Sequence, residues 1–192
     1  WEIYIPKEHG QVFWDILWET GKPHGIIPAG IGVYGTTGRL EKGYRLYGSE
    51  LEGEYNPIEA GLLRPKVKTQ KFIGKNALLK LREKDPDAIM CTLTVDSHHS
   101  SNGELRYMLG GEPILTLEGN RIVDAHGRSS YVTSAGSGPS ISKHILMGYL
   151  PPNYAKDGTS LLVEYFGDQY PVTVAVAGNR SLFDPENERI RS

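Results

Sequence analysis

The chain has 192 residues, 39% of them hydrophobic and 23% charged, with a formal net charge of −2. A chain of this length buries about 70% of its unfolded surface and needs no disulfide or metal staple. The charge balance argues against a nucleic-acid surface, which needs a basic stripe; the nearest basic run, Arg64 to Lys75, is broken by Pro65, Thr69 and Phe72. The one cysteine, Cys91, rules out an intrachain disulfide and a thiolate zinc site, and a reducing compartment is expected. No apolar run approaches the roughly 20 residues that span a bilayer. No signal peptide is recognisable, and no membrane partner is expected.

The sequence opens on Trp1-Glu2-Ile3-Tyr4-Ile5, whose alternation and β-branched and aromatic content predict a strand ended by Pro6. A strand already under way, with no Met and no polar lead-in, is expected of a fragment of a longer protein. Val12, Phe13, Ile16 and Leu17 then fall at helical spacing, predicting a helix over Lys7–Thr20 with Gly21 as its stop. Trp14 and Trp18 widen its apolar face and are expected to pack against a sheet. Pro28 is a possible helix start, but Gly30, Gly32, Gly35 and Gly38 each oppose helix by about 1 kcal/mol relative to Ala. Helix is easier to accept over Arg39–Leu46. A polar loop over Glu50–Pro57 and a short helix over Asn76–Glu83 follow, and Asp85-Pro86-Asp87 marks a turn near a domain boundary.

From Ala88 short β-type runs succeed one another: Ile89–Val95, Leu105–Leu109, Pro113–Leu117, Arg121–Val123, Ser130–Ser134, His144–Leu150, Ser160–Tyr165 and Gln169–Ala177. Segments rich in Gly, Asn, Asp, Ser and Pro join them, with hairpin-type turns at Asp157-Gly158 and Gly167-Asp168. Even spacing of this kind predicts a small antiparallel barrel or sandwich. The fold class is therefore α+β, with a mixed front and an all-β back.

Four constellations invite a chemical reading. Ser134–Ser140 has the glycines of a phosphate cradle, but no Lys follows at Walker spacing and a strand, not a helix, comes next, so a Gly/Pro-shaped link between barrel strands is expected. His98 and His99 are adjacent; on a strand they point to opposite faces, so a solvated loop tip is expected and no metal site. Lys143 and His144 lack a nucleophile and an orienting carboxylate, and are expected on a strand surface. Glu2 faces away from Trp1 and Ile3, where a carboxylate can accept paired N–H bonds from a flat heterocycle. For Arg39 and Glu41 the alternative is an intrahelical or helix-to-loop ion pair.

Taken in order, "WEIYIP", "GIIPAGIG", "RLEKGYRLYGSEL", "YNPIEAGL", "FIGKNALL", "GGEPIL", "SYVTSAGSGPSISKHILMGYLPP" and "LFDPENERIR" resemble the aminomethyltransferase (T-protein) family of the glycine cleavage system and its folate-dependent demethylating relatives. The resemblance implies the C-terminal half of such a protein. Residues 1–84 would be the end of its folate-binding α+β core and 85–192 its C-terminal antiparallel β-barrel. It implies tetrahydrofolate as cofactor, a small-molecule one-carbon donor, and the N-terminal half of the same protein as partner. That half would carry the family's catalytic aspartate, so no catalytic residue is assigned here. A lipoyl carrier protein or an FAD module are further partners it allows. The location implied is cytoplasmic, or the mitochondrial matrix in a eukaryote. Carried over by position, Glu2 matches a pterin-binding glutamate and Arg39 an arginine that meets folate or substrate. Tyr34 stands near the place of a first arginine, as in the dimethylglycine and sarcosine dehydrogenase branch. Basic residues over Arg64–Lys71 are candidates for a pocket mouth that receives the folate tail.

Overall fold

The computed structural model describes residues 2–63 and 66–191. Two compact units result, one up to Ile31 and one from Gly32 onward.

In the first unit a 3-10 turn, Lys7–His9, leads into α1, Gly10–Gly21, and a second 3-10 turn, Lys22–His24, stops on left-handed Gly25. The helix thus lies where the periodicity predicts it. The strand expected over Trp1–Ile5 is not found: Glu2–Ile5 carry no regular structure, and Trp1 lies outside the described residues. A strand exists only by pairing its N–H and C=O groups, and none of the described residues pairs with this segment. The expected packing of Trp14 and Trp18 on a sheet is also not found. No residue of α1 is buried, and the two indoles instead stack on each other with centroids 6.0 Å apart.

The second unit opens with a π-helix, Val33–Gly38, that continues as α2, Arg39–Glu41. Of the glycines that argue against helix, Gly32, Gly35 and Gly38 are helical and Gly30 is not, while residues 42–46, expected helical, are not. Packing outweighs propensity. A Cβ on Gly136, in the sheet beneath, would sit 2.8 Å from Thr36 Cγ2 and 2.9 Å from Leu40 Cδ1, so the helix rests directly on a glycine surface. The helix ends in a Schellman motif at Gly43 (φ 65°), with Gly43 N donating to Leu40 O and Tyr44 N to Arg39 O. After the turns around residues 48–61, α3 spans Lys75–Leu81, near its predicted place.

Six strands form one antiparallel sheet: β1 Ile89–Val95, β2 Ile114–Leu115, β3 Val132–Gly138, β4 Lys143–Leu150, β5 Ser160–Tyr165 and β6 Asp168–Ala177, in the order β2-β5-β6-β1-β4-β3. Three backbone bonds then join its two edges: Val132 N to Glu112 O (2.8 Å), Ile114 N to Ser130 O (3.0 Å) and Gly111 N to Val132 O (2.7 Å). Gly148 permits this junction, because a Cβ there would lie 2.6 Å from the Tyr131 carbonyl oxygen. β1 and β5 have the predicted bounds. Leu105–Leu109 and Arg121–Val123 form only isolated bridges. The β5–β6 turn centres on Phe166-Gly167, both at positive φ, one residue before its expected place. Asp157-Gly158 lies in a turn between β4 and β5, which are not neighbours, so it is not a hairpin.

The apolar runs fill two cores. Cys91, Leu93, Leu146, Leu150, Val163, Tyr170, Val172 and Val174 pack inside the sheet. Met90, Ile145, Met147 and Tyr149, on the alternate face of β1 and β4, pack under Leu40 and Ala60. This second core seats the Arg39 helix and the turns after it on the outside of the sheet.

Candidate functional site

The helix over residues 33–41 and the segment after its terminal turn border a cleft of about 380 Å³. One wall is the helix (Val33, Tyr34, Gly38, Arg39, Lys42) and the other is the extended Tyr44-Arg45-Leu46 that follows the Schellman turn. Tyr34, 84% exposed, stands with its ring at the lip. Arg39 lies at the base, its side chain 11% exposed.

The Arg39 guanidinium is largely committed to the protein. Nε donates to Gly35 O (2.7 Å), Nη1 to Tyr44 O (3.3 Å) and to Glu50 Oε2 (3.1 Å), and Nη2 to Ser134 Oγ (2.8 Å). Of five N–H donors, one on Nη2 has no partner among the described residues. The helix-to-loop ion pair foreseen as the alternative for Arg39 therefore exists, and it leaves a single donor without a partner among the described residues. A bidentate clamp on a carboxylate is excluded; one directed hydrogen bond is not.

Glu50, 1% exposed, is the hub. Besides Arg39 it accepts from Leu46 N (2.9 Å, Oε2) and from Thr133 Oγ1 (2.7 Å, Oε1). Glu41 does not pair with Arg39; it accepts from Ser140 N (2.7 Å) and so ties down the β3–β4 loop. That loop, Pro139–Ser142, is a hairpin turn between antiparallel strands, as expected, and not a cradle. Lys42 donates to Asp184 O (2.7 Å) and Asn187 Oδ1 (2.8 Å), anchoring the segment after the barrel. Arg45 donates to Gly43 O and Gly178 O, and burial lowers its pKa.

Other expected site residues fall elsewhere. Glu2 lies in the first unit, exposed, with Tyr4 Oη donating to it at 2.6 Å; that bond raises the Tyr4 pKa. Lys66, Lys68 and Lys71 line a separate open groove with Leu62 and Phe72, not the Tyr34–Arg39 cleft, and Arg64 lies outside the described residues. His144 is not a surface residue: it is 8% exposed and its Nε2–H donates to Met108 O (2.9 Å). His98 Nδ1–H donates similarly to Arg106 O (2.9 Å), and its ring meets Tyr107 and His144. The histidines thus peg Arg106–Met108 to the sheet. Among the described residues no three His, Cys, Asp or Glu side chains gather as metal ligands.

Sequence reasoning missed Glu50, Thr133 and Ser134. Glu50 reads as one more acid in a polar loop, and only the sheet that folds under it makes it a buried hub.

Two family models match the chain, with bounds that differ from those of the compact units. Residues 1–71 match the GCVT N-terminal domain, and residues 104–178 match the glycine cleavage T-protein C-terminal barrel domain. An aminomethyltransferase of Caldanaerobacter subterraneus subsp. tengcongensis is 33% identical over 166 residues, covering 84% of this chain and 39% of the relative. One from Halothermothrix orenii is 34% identical over 164 residues, covering 85% and 42%. The chain thus spans about two fifths of the length of these relatives. The crystal structure of glycine cleavage system aminomethyltransferase T from Bartonella henselae shares the fold, with a TM-score of 0.70 over 89% of this chain and 44% of that one, at 23% identity. No described helix is long and apolar enough to cross a membrane. With two family models matched in order and an α+β, barrel-containing fold in common, the chain belongs to the glycine cleavage T-protein family and fits its C-terminal portion.

Proposed function

We propose that this chain is the C-terminal part of a tetrahydrofolate-dependent aminomethyltransferase or of a demethylating relative. In this reading residues 1–84 end the folate-binding domain and 85–192 form the barrel domain. The ordered match to relatives named aminomethyltransferase carries the reading. The cleft agrees with it. About 380 Å³ is the size of a small-molecule pocket, and its lining combines apolar walls, an exposed tyrosine ring and one unpartnered guanidinium N–H. Those features fit a flat heterocycle with polar edges.

Bound tetrahydrofolate would supply the amine, at N5 or N10, that accepts the one-carbon unit. The chain's own residues bind and orient. In the second unit Tyr34 offers a ring face at the lip of the cleft and Arg39 one unpartnered N–H; in the first unit Glu2 is, by resemblance alone, the carboxylate for the paired N–H groups of a pterin edge. Holding two reactants in register and keeping water out supplies most of the rate enhancement in such a site. The family aspartate lies upstream of Trp1 by resemblance, so we expect this chain alone to be inactive.

Tyr34, near the place where glycine-cleavage members carry arginine, favours the demethylating branch, with a small-molecule methyl donor. A lipoyl carrier or an upstream FAD module are the partners consistent with each branch, and a non-catalytic folate-binding role is the alternative of another class. The cytoplasm, or the matrix of a mitochondrion, is the compartment we assign. The test is titration of tetrahydrofolate into the protein extended to the relatives' length, followed by tryptophan fluorescence. Saturable quenching is expected, weakened about tenfold by Tyr34→Ala or Arg39→Lys and also weakened by Glu2→Gln. Absence of saturable binding refutes the proposal, and assays with glycine-cleavage intermediates, dimethylglycine and sulfonium donors then separate the branches.

A further inference from the structure

The two walls of the cleft come from different local structures, a π-distorted helix and an extended segment, and neither is stiff by itself. A π-helix is rare and marginal, held by its surroundings. The backbone of Tyr44-Arg45-Leu46 belongs to no strand. What both walls share is one carboxylate. Glu50 Oε2 receives Arg39 Nη1 from the helix wall at 3.1 Å and Leu46 N from the opposite wall at 2.9 Å. Its other oxygen receives Thr133 Oγ1, on β3, at 2.7 Å.

We infer that Glu50 is a positioning residue: its buried carboxylate sets the width of the cleft by pinning both walls to each other and to the barrel, and so fixes the Arg39 guanidinium in the cleft wall. The consequence for tetrahydrofolate rests on the folate reading above; the pin itself does not. The geometry is specific to a carboxylate. Three donors converge on two oxygens from three directions, with the side chain out of water, where charge-assisted hydrogen bonds are about twice as strong as neutral ones. Glutamine keeps one oxygen for the two walls, and its amide can face Thr133, whose hydroxyl then turns to Met147 O at 3.1 Å. Alanine leaves the guanidinium and the Leu46 N–H without an acceptor between them.

The experiment has two arms. In this chain, NMR follows the Leu46 amide and the Arg39 Nη1 protons, the two donors that meet Glu50 Oε2. In Glu50→Ala, Leu46 exchange is expected to rise about tenfold and the Arg39 signal to broaden or vanish, while strand amides such as that of Val174 keep their protection. Glu50→Gln is expected to raise Leu46 exchange about threefold, and it carries the test if the alanine variant does not fold. Unchanged Leu46 and Arg39 signals in the folded variants overturn the pin. In the protein extended to the relatives' length, Glu50→Ala or Glu50→Gln is expected to weaken tetrahydrofolate binding. Val174→Ala, a core substitution away from the cleft that lowers the melting temperature, is expected to leave affinity unchanged. Equal loss of affinity in Val174→Ala overturns positioning in favour of general destabilisation. Wild-type protein that fails to bind tetrahydrofolate overturns the folate reading, and the NMR arm then decides the pin alone.

Discussion

Gly148→Ala tests the closure of the barrel. The added Cβ would lie 2.6 Å from the Tyr131 carbonyl oxygen and 2.8 Å from Ile114 Cδ1. The isoleucine methyl can rotate away, but the carbonyl belongs to the segment that joins the sheet's edges. Relief requires β4 and residues 130–132 to part by several tenths of an ångström. Overpacking of this kind costs about 1–3 kcal/mol. The displacement also strains the bonds from Val132 N to Glu112 O and from Ile114 N to Ser130 O, each worth about 1 kcal/mol. A total of roughly 3–5 kcal/mol is a large share of the 5–15 kcal/mol that holds a domain together. At about 2–4 °C per kcal/mol for a chain of this size, the melting temperature should fall by roughly 6–20 °C. Thermal unfolding followed by circular dichroism measures it. Gly10→Ala is the companion variant: that glycine is helical with open space around it, and alanine should stabilise by about 0.5–1 kcal/mol. A Gly148→Ala melting temperature within 2 °C of wild type would refute the steric argument for closure.

Two further outcomes follow from burial. His144 holds its proton on Nε2, and its buried Nδ1 has no partner among the described residues; burial lowers its pKa. Below the unfolded value near 6.5 the unfolded chain therefore binds the proton more readily than the folded one, so this contribution to stability is intact above that pH and is lost as pH falls. The slope it contributes cannot exceed about 1.4 kcal/mol per pH unit, and His144→Gln should flatten denaturant-measured stability between pH 7 and 5; an unchanged slope removes His144 as the cause. Cys91 is fully buried and its thiol is pushed up to about 12, chiefly by burial, so a thiol reagent should label it only in denaturant; rapid native labelling would contradict its placement.

Strands whose side chains decide their own environment were legible in the sequence. Ile89–Val95 and Ser160–Tyr165 carry β-branched and apolar runs bounded by turn residues, and the sheet takes them with those bounds. β3 ran further than its apolar residues suggest, to Gly138, because Gly136 serves a helix that lies over it rather than a turn. The same contact explains the helix over Val33–Gly38, whose glycines speak against helix locally. Leu105–Leu109 has strand composition but is held by two histidine side chains and scattered bridges, which no periodicity encodes. At the site, Tyr34 and Arg39 were visible by resemblance, and the structure gathers them in one cleft. Arg39's commitments were not visible, since Glu50 and Ser134 lie 11 and 95 residues away in sequence. Glu2 belongs to the other compact unit.

β4 is buried along seven of its eight residues, alternately in the barrel interior and in the core beneath Leu40. It is a party wall. Peeling the Arg39 helix from the outer face exposes Met147 and Tyr149, and loosening the barrel withdraws the floor on which the helix sits. The cleft therefore inherits its rigidity from a strand that contributes nothing to its lining. Substitutions on the barrel face of β4 itself, at Leu146 or Leu150, will be felt at Arg39 without any path of polar contacts between them, transmitted by the close packing of that shared strand.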